Sequence, residues 1–118
     1  MHYKAKEPAA AVVAVEPDTA ACLLTSLEAN KIVPIETGHT IMNGMNCGTV
    51  SYTAWKILRE GIDASVTVTD LDAHNDLRYL HGQGIKNGPC GAAPLSALRK
   101  LCNEKKLGLD KKDRKSVV

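Results

Sequence analysis

The feature of this sequence that most constrains its fold is the alternation of two short β-forming runs with four segments of helical periodicity. Residues 10–15 form a continuous apolar run, which is typical of a strand that is buried on both faces of a sheet. Residues 64–69 are rich in Val and Thr and alternate in polarity, which indicates a second strand. Because strands alternate with helices, the sequence predicts an α/β domain with a mainly parallel sheet.

The four helices are predicted from end signals as well as from periodicity. Asp18 is expected to cap the first helix, Ser51 the second, and Thr69 or Asp70 the third. The fourth is expected to follow the segment GPCG and to carry Pro94 in its first turn. The apolar positions predicted to face inward are Ala20, Leu23, Leu24 and Leu27, then Ala54, Trp55, Leu58 and Ile62, then Ala73, Leu77 and Leu80, and last Leu95, Leu98 and Leu101 or Cys102.

Two strands are too few to cover four helices, because sheets usually contain about five or six strands. We therefore expect the chain to be part of a three-layer αβα sandwich with a mainly parallel sheet, incomplete at both ends. We divide it into a polar lead at 1–9, a partial domain at 10–109, and a segment at 110–118. That last segment is either a charged tail or the truncated start of a further strand.

Composition excludes several classes of function. A net charge of +2 is too small for a nucleic-acid partner, and the sequence contains neither an apolar stretch of membrane-spanning length nor a secretory signal. The four cysteines are irregularly spaced and form no CxxC pair, so no metal site is expected. We expect a cytoplasmic protein whose thiols stay reduced.

Residues 37–49 have no clear period and contain three Gly, two Asn and two Met. Long irregular loops in compact domains are often functional. The alternative is a structural loop whose glycines permit left-handed turns. In either case Met42 and Met45 are expected to fill the core rather than to bind a ligand.

The segment Gly88-Pro89-Cys90-Gly91 precedes the last predicted helix. It is either a capping turn or a place where the helix N-terminus contacts an anion or a cofactor. A partly exposed Cys90 would gain thiolate character there. We do not expect it to be a nucleophile, because no His or second Cys lies nearby in the sequence.

Other polar residues have plainer interpretations. Glu16 is expected to end a strand and brace a turn rather than to act as a catalytic carboxylate. Asp70 and Asp72 are expected to be helix-start residues that favour the helix dipole. His39 and His74 lack the paired spacing of metal ligands, so we expect exposed or loop-stabilising roles.

Four segments in a fixed order resemble the C-terminal part of diaminopropionate ammonia-lyase and its relatives. They are VEP at 15–17, HTIMNGMNCGT at 39–49, AWKILREGIDASVTVTD at 54–70 and GPCGAAPLSAL at 88–98. The relatives are fold type II pyridoxal-phosphate enzymes, which include threonine dehydratase and tryptophan synthase β. The resemblance runs from about Ala10 to Leu109.

This resemblance implies an α,β-elimination that releases ammonia from a small amino-acid substrate and leaves a 2-oxo acid, with pyridoxal phosphate as cofactor. The family holds the cofactor with a lysine, a glycine-rich phosphate loop and a Ser or Thr that faces the pyridine nitrogen. We find none of the three in this sequence. The chain is therefore expected to contain no catalytic residue and not to bind the cofactor alone.

The resemblance assigns one wall of the cofactor pocket to two segments. The first is the loop TIMNGMNCGT at 40–49, and the second matches a turn that the family usually writes GESGA. In the second segment Pro89 stands in place of Glu, which removes a carboxylate near the ring, and a cysteine stands in place of Ser. The predicted cofactor-binding residues are Asn43, Gly44, Asn46, Cys47, Gly48, Gly88, Cys90 and Gly91.

Three hypotheses follow. The chain is a fragment of an ammonia-lyase that is active only within a full-length chain. Alternatively, it is a non-catalytic remnant that binds a homologous subunit or a small ligand, or it is the product of a truncated gene model with little stable structure. Exposed sheet edges predict self-association as a homo-oligomer or an aggregate.

Overall fold

The computed structural model describes residues 2–7 and 10–106. Short 3-10 helices occur at His2–Ala5, Asp18–Ala20 and Asn43–Met45. The strands and helices, in chain order, are β1 (Val13–Pro17), α1 (Cys22–Ala29), α2 (Tyr52–Gly61), β2 (Ala64–Val68), α3 (Asp70–Gly82) and α4 (Pro89–Lys106). Within the described part of the chain, no helix is long and apolar enough to cross a membrane.

The two strands pair in parallel, with a register that runs from Val13 opposite Ala64 to Pro17 opposite Val68. This confirms the α/β fold and the parallel sheet. β1 begins three residues later than the predicted run at 10–15 and continues through Pro17. Asp63 fixes the start of the pairing, because its N–H donates to Val12 O (2.9 Å) and its Oδ2 accepts from Val12 N (2.7 Å).

Helices lie on both faces of the sheet. Side chains alternate between the faces of a strand, and one face contributes Val66 and Val68 to the buried core, where α3 and α4 supply Ala73, Ala93 and Ala97. On the other face Glu16 reaches the first turn of α1. The described residues therefore form the three layers that the sequence predicted.

The start of α1 differs from the prediction that Asp18 is its N-cap. Asp18 instead opens a 3-10 turn, and α1 begins at Cys22 without a side-chain cap from the preceding residue. The carboxylate of Glu16 takes over this role, since Oε1 accepts from Leu23 N (2.8 Å) and Oε2 from Leu24 N (3.0 Å). The prediction that Glu16 braces a turn is confirmed.

Other helix ends follow local signals. Asn30 ends α1 with a left-handed backbone (φ 54°), which Asn adopts more readily than most residues. Thr69 caps α3 in a reciprocal box: its hydroxyl accepts from Asp72 N (3.1 Å), and Asp72 Oδ2 accepts from Thr69 N (3.4 Å). Ser51 precedes α2 as predicted, but its hydroxyl lies 3.0 Å from Thr53 Oγ1 and bonds no backbone group of the helix.

Helix α4 corrects two predictions. It begins at Pro89, so GPCG forms its first turn, and Pro94 lies beyond that turn inside the helix. The predicted leucine stripe is wrong at Leu98, which is 57% exposed, whereas Leu101 packs partly buried against the core as predicted. The residues that α4 buries are small, which lets the helix approach its neighbours closely, and they are Ala92, Ala93, Ser96 and Ala97.

The interface of α3 with α4 contains a buried carboxylate that the sequence did not predict. Asp76 accepts hydrogen bonds from Ser96 Oγ (2.6 Å) and Arg99 Nε (2.9 Å). The predicted inner residues Leu77 and Leu80 of α3 are only partly buried. The predicted tail or strand at 110–118, and the last three residues of the predicted domain, lie outside the described residues.

Candidate functional site

The loop at 37–49 lies over the carboxyl ends of both strands. After β1, Gly38 N donates to Thr19 O (3.1 Å), and Thr19 Oγ1 donates to His39 O (3.4 Å). After β2, Asp70 Oδ2 accepts from Ile41 N (3.1 Å). Ligands of open α/β sheets bind beyond the carboxyl ends of the strands, so this loop occupies the expected location of a site.

Two buried side chains fix the first half of the loop. Thr40 Oγ1 donates to Asp70 Oδ1 (2.5 Å) and accepts from Met42 N (3.1 Å). Thr40 is 8% exposed and Met42 is fully buried, while Met45 packs partly buried against the core. The prediction that both methionines fill the core is confirmed.

The middle of the loop folds on itself through backbone hydrogen bonds. Met45 N donates to Met42 O (2.9 Å), and Asn46 N donates to Asn43 O (3.2 Å). The Asn46 side-chain amide also donates to Gly38 O (3.3 Å). Asn43, Gly44, Asn46 and Cys47 are nevertheless exposed, so an ordered backbone presents them to solvent.

The loop glycines do not serve left-handed turns, contrary to the structural alternative. Among the described glycines, a positive φ occurs at Gly84 alone. Gly48 is instead a point of close approach: Ile35 N donates to Gly48 O (2.9 Å), and a β-carbon on Gly48 would lie 2.8 Å from Ile35 O. This predicted cofactor residue therefore has a packing role at the far end of the loop.

The structure brings the two predicted wall segments together at Gly44 and Cys90. A β-carbon on Gly44 would lie 3.5 Å from Cys90 Sγ, and Cys90 itself packs partly buried against the core. Gly91 faces the side chain of Asn87, whose atoms would lie 3.3 Å from an added β-carbon, whereas Gly88 faces open space. The loop and the first turn of α4 thus form one continuous surface.

This surface has hydrogen-bonding capacity to spare. Ala92 N donates to Gly88 O (3.1 Å), so the N–H groups of Cys90 and Gly91 precede the helical bonding pattern of α4. Asn87 Oδ1 is buried and has no partner in the part of the chain that the structure describes. The first turn of α4 therefore offers backbone donors beside the Gly44–Cys90 contact, whereas the Asn87 oxygen is enclosed by protein atoms.

The thiol of Cys22, at the start of α1, is kept in its neutral form. Burial first, and then the charge of Glu16, a hydrogen bond to Glu16 and the neighbouring Cys47, together raise the pKa of Cys22 to about 11. The thiol donates to Glu16 Oε1 at 3.6 Å. Cys22 is therefore a neutral packing residue.

Over the described residues, no three His, Cys, Asp or Glu side chains are placed to hold a metal ion.

The comparisons with known proteins decide the family. The family described as "Pyridoxal-phosphate dependent enzyme" matches residues 1–118. The chain belongs to this family. No curated protein matches it. Membership implies pyridoxal phosphate as the cofactor of full-length members. The free N–H groups of Cys90 and Gly91 at the start of α4 fit a ligand that carries hydrogen-bond acceptors, as pyridoxal phosphate does.

Solved structures agree on the fold. A threonine deaminase from T.th. is 28% identical to this chain, with a TM-score of 0.77. The match covers 97% of this chain and 40% of the deaminase. Serine racemase from Dictyostelium discoideum is 25% identical with a TM-score of 0.75 over 97% and 35%. The processed form of threonine deaminase isoform 2 from Solanum lycopersicum is 21% identical, with a TM-score of 0.80. The match covers 98% of this chain and 31% of that protein, and it supports the fold alone. The chain thus spans well under half the length of these relatives.

Proposed function

We propose that this chain forms one wall of the cofactor pocket of a pyridoxal-phosphate-dependent ammonia-lyase. The reaction is an α,β-elimination that releases ammonia from a small amino acid and leaves a 2-oxo acid. The observation that supports this most is the contact between Gly44 and Cys90, which unites the two family-like segments beyond the carboxyl ends of the strands. The 28% identity to a protein named threonine deaminase favours ammonia release.

When bound, the cofactor supplies an electron sink for carbanion chemistry. The residues of this chain position it. Gly44 and Cys90 would give the wall its shape, and the N–H groups of Cys90 and Gly91 would donate to polar atoms of the cofactor. The buried Met42 and partly buried Met45 hold the loop against the core and help to exclude water.

We propose diaminopropionate, or a related amino acid with a leaving group on the β-carbon, as the substrate. The support is the resemblance of residues 39–49 and 88–98 to diaminopropionate ammonia-lyases. The site residues keep their proposed roles: Asn43, Gly44, Asn46, Cys47 and Gly48 on the loop, and Gly88, Cys90 and Gly91 on the first turn of α4. We further propose that the protein works in the cytoplasm with its four cysteines reduced.

We propose that the wall is inactive by itself and works only with the remainder of the family domain. The support is that the chain spans 40% of the threonine deaminase that it matches. The chain alone, mixed with pyridoxal phosphate, should produce neither the visible band of lysine-bound cofactor nor a 2-oxo acid from diaminopropionate, serine or threonine. A specific band with turnover from the isolated chain would refute this part of the proposal.

The wall itself is tested by replacing the corresponding region of the T.th. threonine deaminase with residues 10–106 of this chain. Gly44→Leu should lower cofactor affinity and ammonia release at least tenfold in this chimera, because the side chain projects at the Gly44–Cys90 contact. Gly82→Leu is the matched control, since its β-carbon meets nothing within 4 Å. Equal activities for the two variants, with equal thermal unfolding, would contradict the assignment of the wall.

The second candidate is a non-catalytic module that binds a homologous subunit. The specific observation in its favour is helix α2, which has no fully buried residue and exposes Tyr52 (76%) and Ile57 (55%). A homologous subunit bound to this helix would cover these side chains. Light scattering should then show a discrete oligomer that Ile57→Lys dissociates, whereas the control Lys56→Glu leaves it intact. A monomer at all concentrations would exclude self-association as the function.

A further inference from the structure

We propose that Asp70 is the positioning residue for the candidate cofactor loop, and this inference rests on the proposed function. Asp70 is the first residue of α3 and follows β2 after one residue. Among the described residues, the hydrogen bonds of its carboxylate go to the loop and not to its own helix. Both of its oxygens accept from the loop, 29 and 30 residues away in sequence.

The carboxylate and one hydroxyl hold three consecutive residues. Asp70 Oδ1 accepts from Thr40 Oγ1 (2.5 Å), and Oδ2 accepts from Ile41 N (3.1 Å). The Thr40 hydroxyl accepts in turn from Met42 N (3.1 Å). Hydrogen bonds to an ionised acceptor are stronger than neutral ones. A single side chain therefore fixes residues 40 and 41 of the loop to the end of β2.

The exposed wall residues begin immediately after this clamp. Met42 is fully buried, and the turn Asn43–Met45 starts from it, which places Gly44 on Cys90. The other end of the loop is tied by the bond between Ile35 N and Gly48 O. Between these two ties, the orientation of the wall depends on where Asp70 holds Thr40 and Ile41.

A helix-start role does not account for the bonds of Asp70. Asp72, two residues later, completes the capping box with Thr69 and serves the helix end. The two carboxylates occupy the same first turn and have the same charge, but they bond different segments. Asp72 is therefore a matched control that separates helix capping from loop positioning.

Hydrogen exchange at single amides tests the clamp without any cofactor. In Asp70→Ala the amides of Ile41 and Met42 should exchange about tenfold faster or more, as expected for loss of charge-assisted bonds. Asp72→Ala should accelerate exchange in the first turn of α3 and leave those two amides unchanged. The inference is overturned if Asp70→Ala leaves Ile41 and Met42 as protected as before, or if both variants accelerate them equally.

A second variant keeps the test decisive if Asp70→Ala fails to fold. Thr40→Val has nearly the same shape but lacks the hydroxyl. It should free the amide of Met42 while Ile41 stays bonded to Asp70. Equal acceleration at both amides would show that the loop moves as a whole and would overturn the clamp.

The chimera described above separates this inference from the proposed function. Asp70→Ala should raise the dissociation constant of pyridoxal phosphate about tenfold, and at saturating cofactor KM should rise more than kcat falls. Faster exchange with unchanged cofactor affinity would overturn the positioning of a cofactor loop. Absence of cofactor binding by the unsubstituted chimera would refute the proposed function, while the exchange result still decides whether the clamp exists.

Discussion

Replacement of Gly48 by Ala is the sharpest test of how the loop is built. The added β-carbon would lie 2.8 Å from the carbonyl oxygen of Ile35, which is backbone and cannot rotate away. The same two residues share the hydrogen bond from Ile35 N to Gly48 O (2.9 Å). Relief of the overlap by several tenths of an ångström therefore stretches the bond that closes the loop.

The magnitude follows from three effects. Overpacking costs about 1–3 kcal/mol, and a weakened backbone hydrogen bond costs up to about 1 kcal/mol. Ala lowers the conformational entropy of the unfolded chain, which offsets about 0.4–1 kcal/mol of this loss of stability. We expect Gly48→Ala to lower the free energy of unfolding by about 2 kcal/mol, which in a domain of this size lowers Tm by roughly 10 °C.

Gly82→Ala is the control, because Gly82 ends α3 and its β-carbon would meet nothing within 4 Å. It should raise the free energy of unfolding by about 0.5 kcal/mol through the unfolded state. Urea unfolding followed by circular dichroism at helical wavelengths measures both variants. If Gly48→Ala unfolds within about 0.5 kcal/mol of the parent chain, the usual scatter of surface substitutions, the close approach has no energetic consequence.

Three further predictions concern the supports of the site. Glu16→Ala should lower the free energy of unfolding by about 1–2 kcal/mol, because it removes the acceptors of two N–H groups of α1. The control is Glu28→Ala, at an exposed position of α1, which should change the free energy of unfolding by less than about 0.5 kcal/mol. Urea unfolding measures both variants. Because the pKa of Cys22 rises from 9.0 to about 11, its contribution is fully present below pH 9 and is lost as pH rises through about 11. Urea midpoints between pH 8 and 11 should fall less steeply in Cys22→Ala, and at pH 8 a thiol reagent should modify the exposed Cys47 before the buried Cys22. Asp76→Ala should lower the free energy of unfolding by about 2–3 kcal/mol, because the buried Ser96 hydroxyl and the Arg99 guanidinium lose their acceptor. Thermal unfolding measures this loss.

Local signals predicted the elements that local interactions decide. The alternation at 64–69 placed β2 within one residue, and Thr69 capped α3 through bonds that span three residues. Asn30 ended α1 by its own backbone preference. Asp18 failed as a cap because Glu16, separated from α1 by a whole turn, supplies the acceptors instead.

Contacts between distant segments explain what the sequence did not predict. Asp76 is buried because Ser96 and Arg99, on another helix, satisfy its carboxylate. Leu98 is exposed because close packing of α4 selects its small residues for the inside. The cofactor-side roles of the eight wall residues stay predictions, although the structure does bring Gly44 to Cys90, 46 positions away in a sequence where no local pattern links them.

The two carboxylates at the sheet edge favour positioning over proton transfer. Glu16 is the penultimate residue of β1, and Asp70 follows β2. Reactive groups of α/β enzymes commonly lie at these carboxyl ends of strands. Both oxygens of Glu16 accept backbone N–H groups of α1, and both oxygens of Asp70 accept donors from the loop. A carboxylate that took a proton from a substrate would weaken these bonds at the moment when the wall must hold its shape. Under the proposed function, general acid–base chemistry therefore falls to groups other than these two, because each of these carboxylates fixes a backbone segment beside the candidate site.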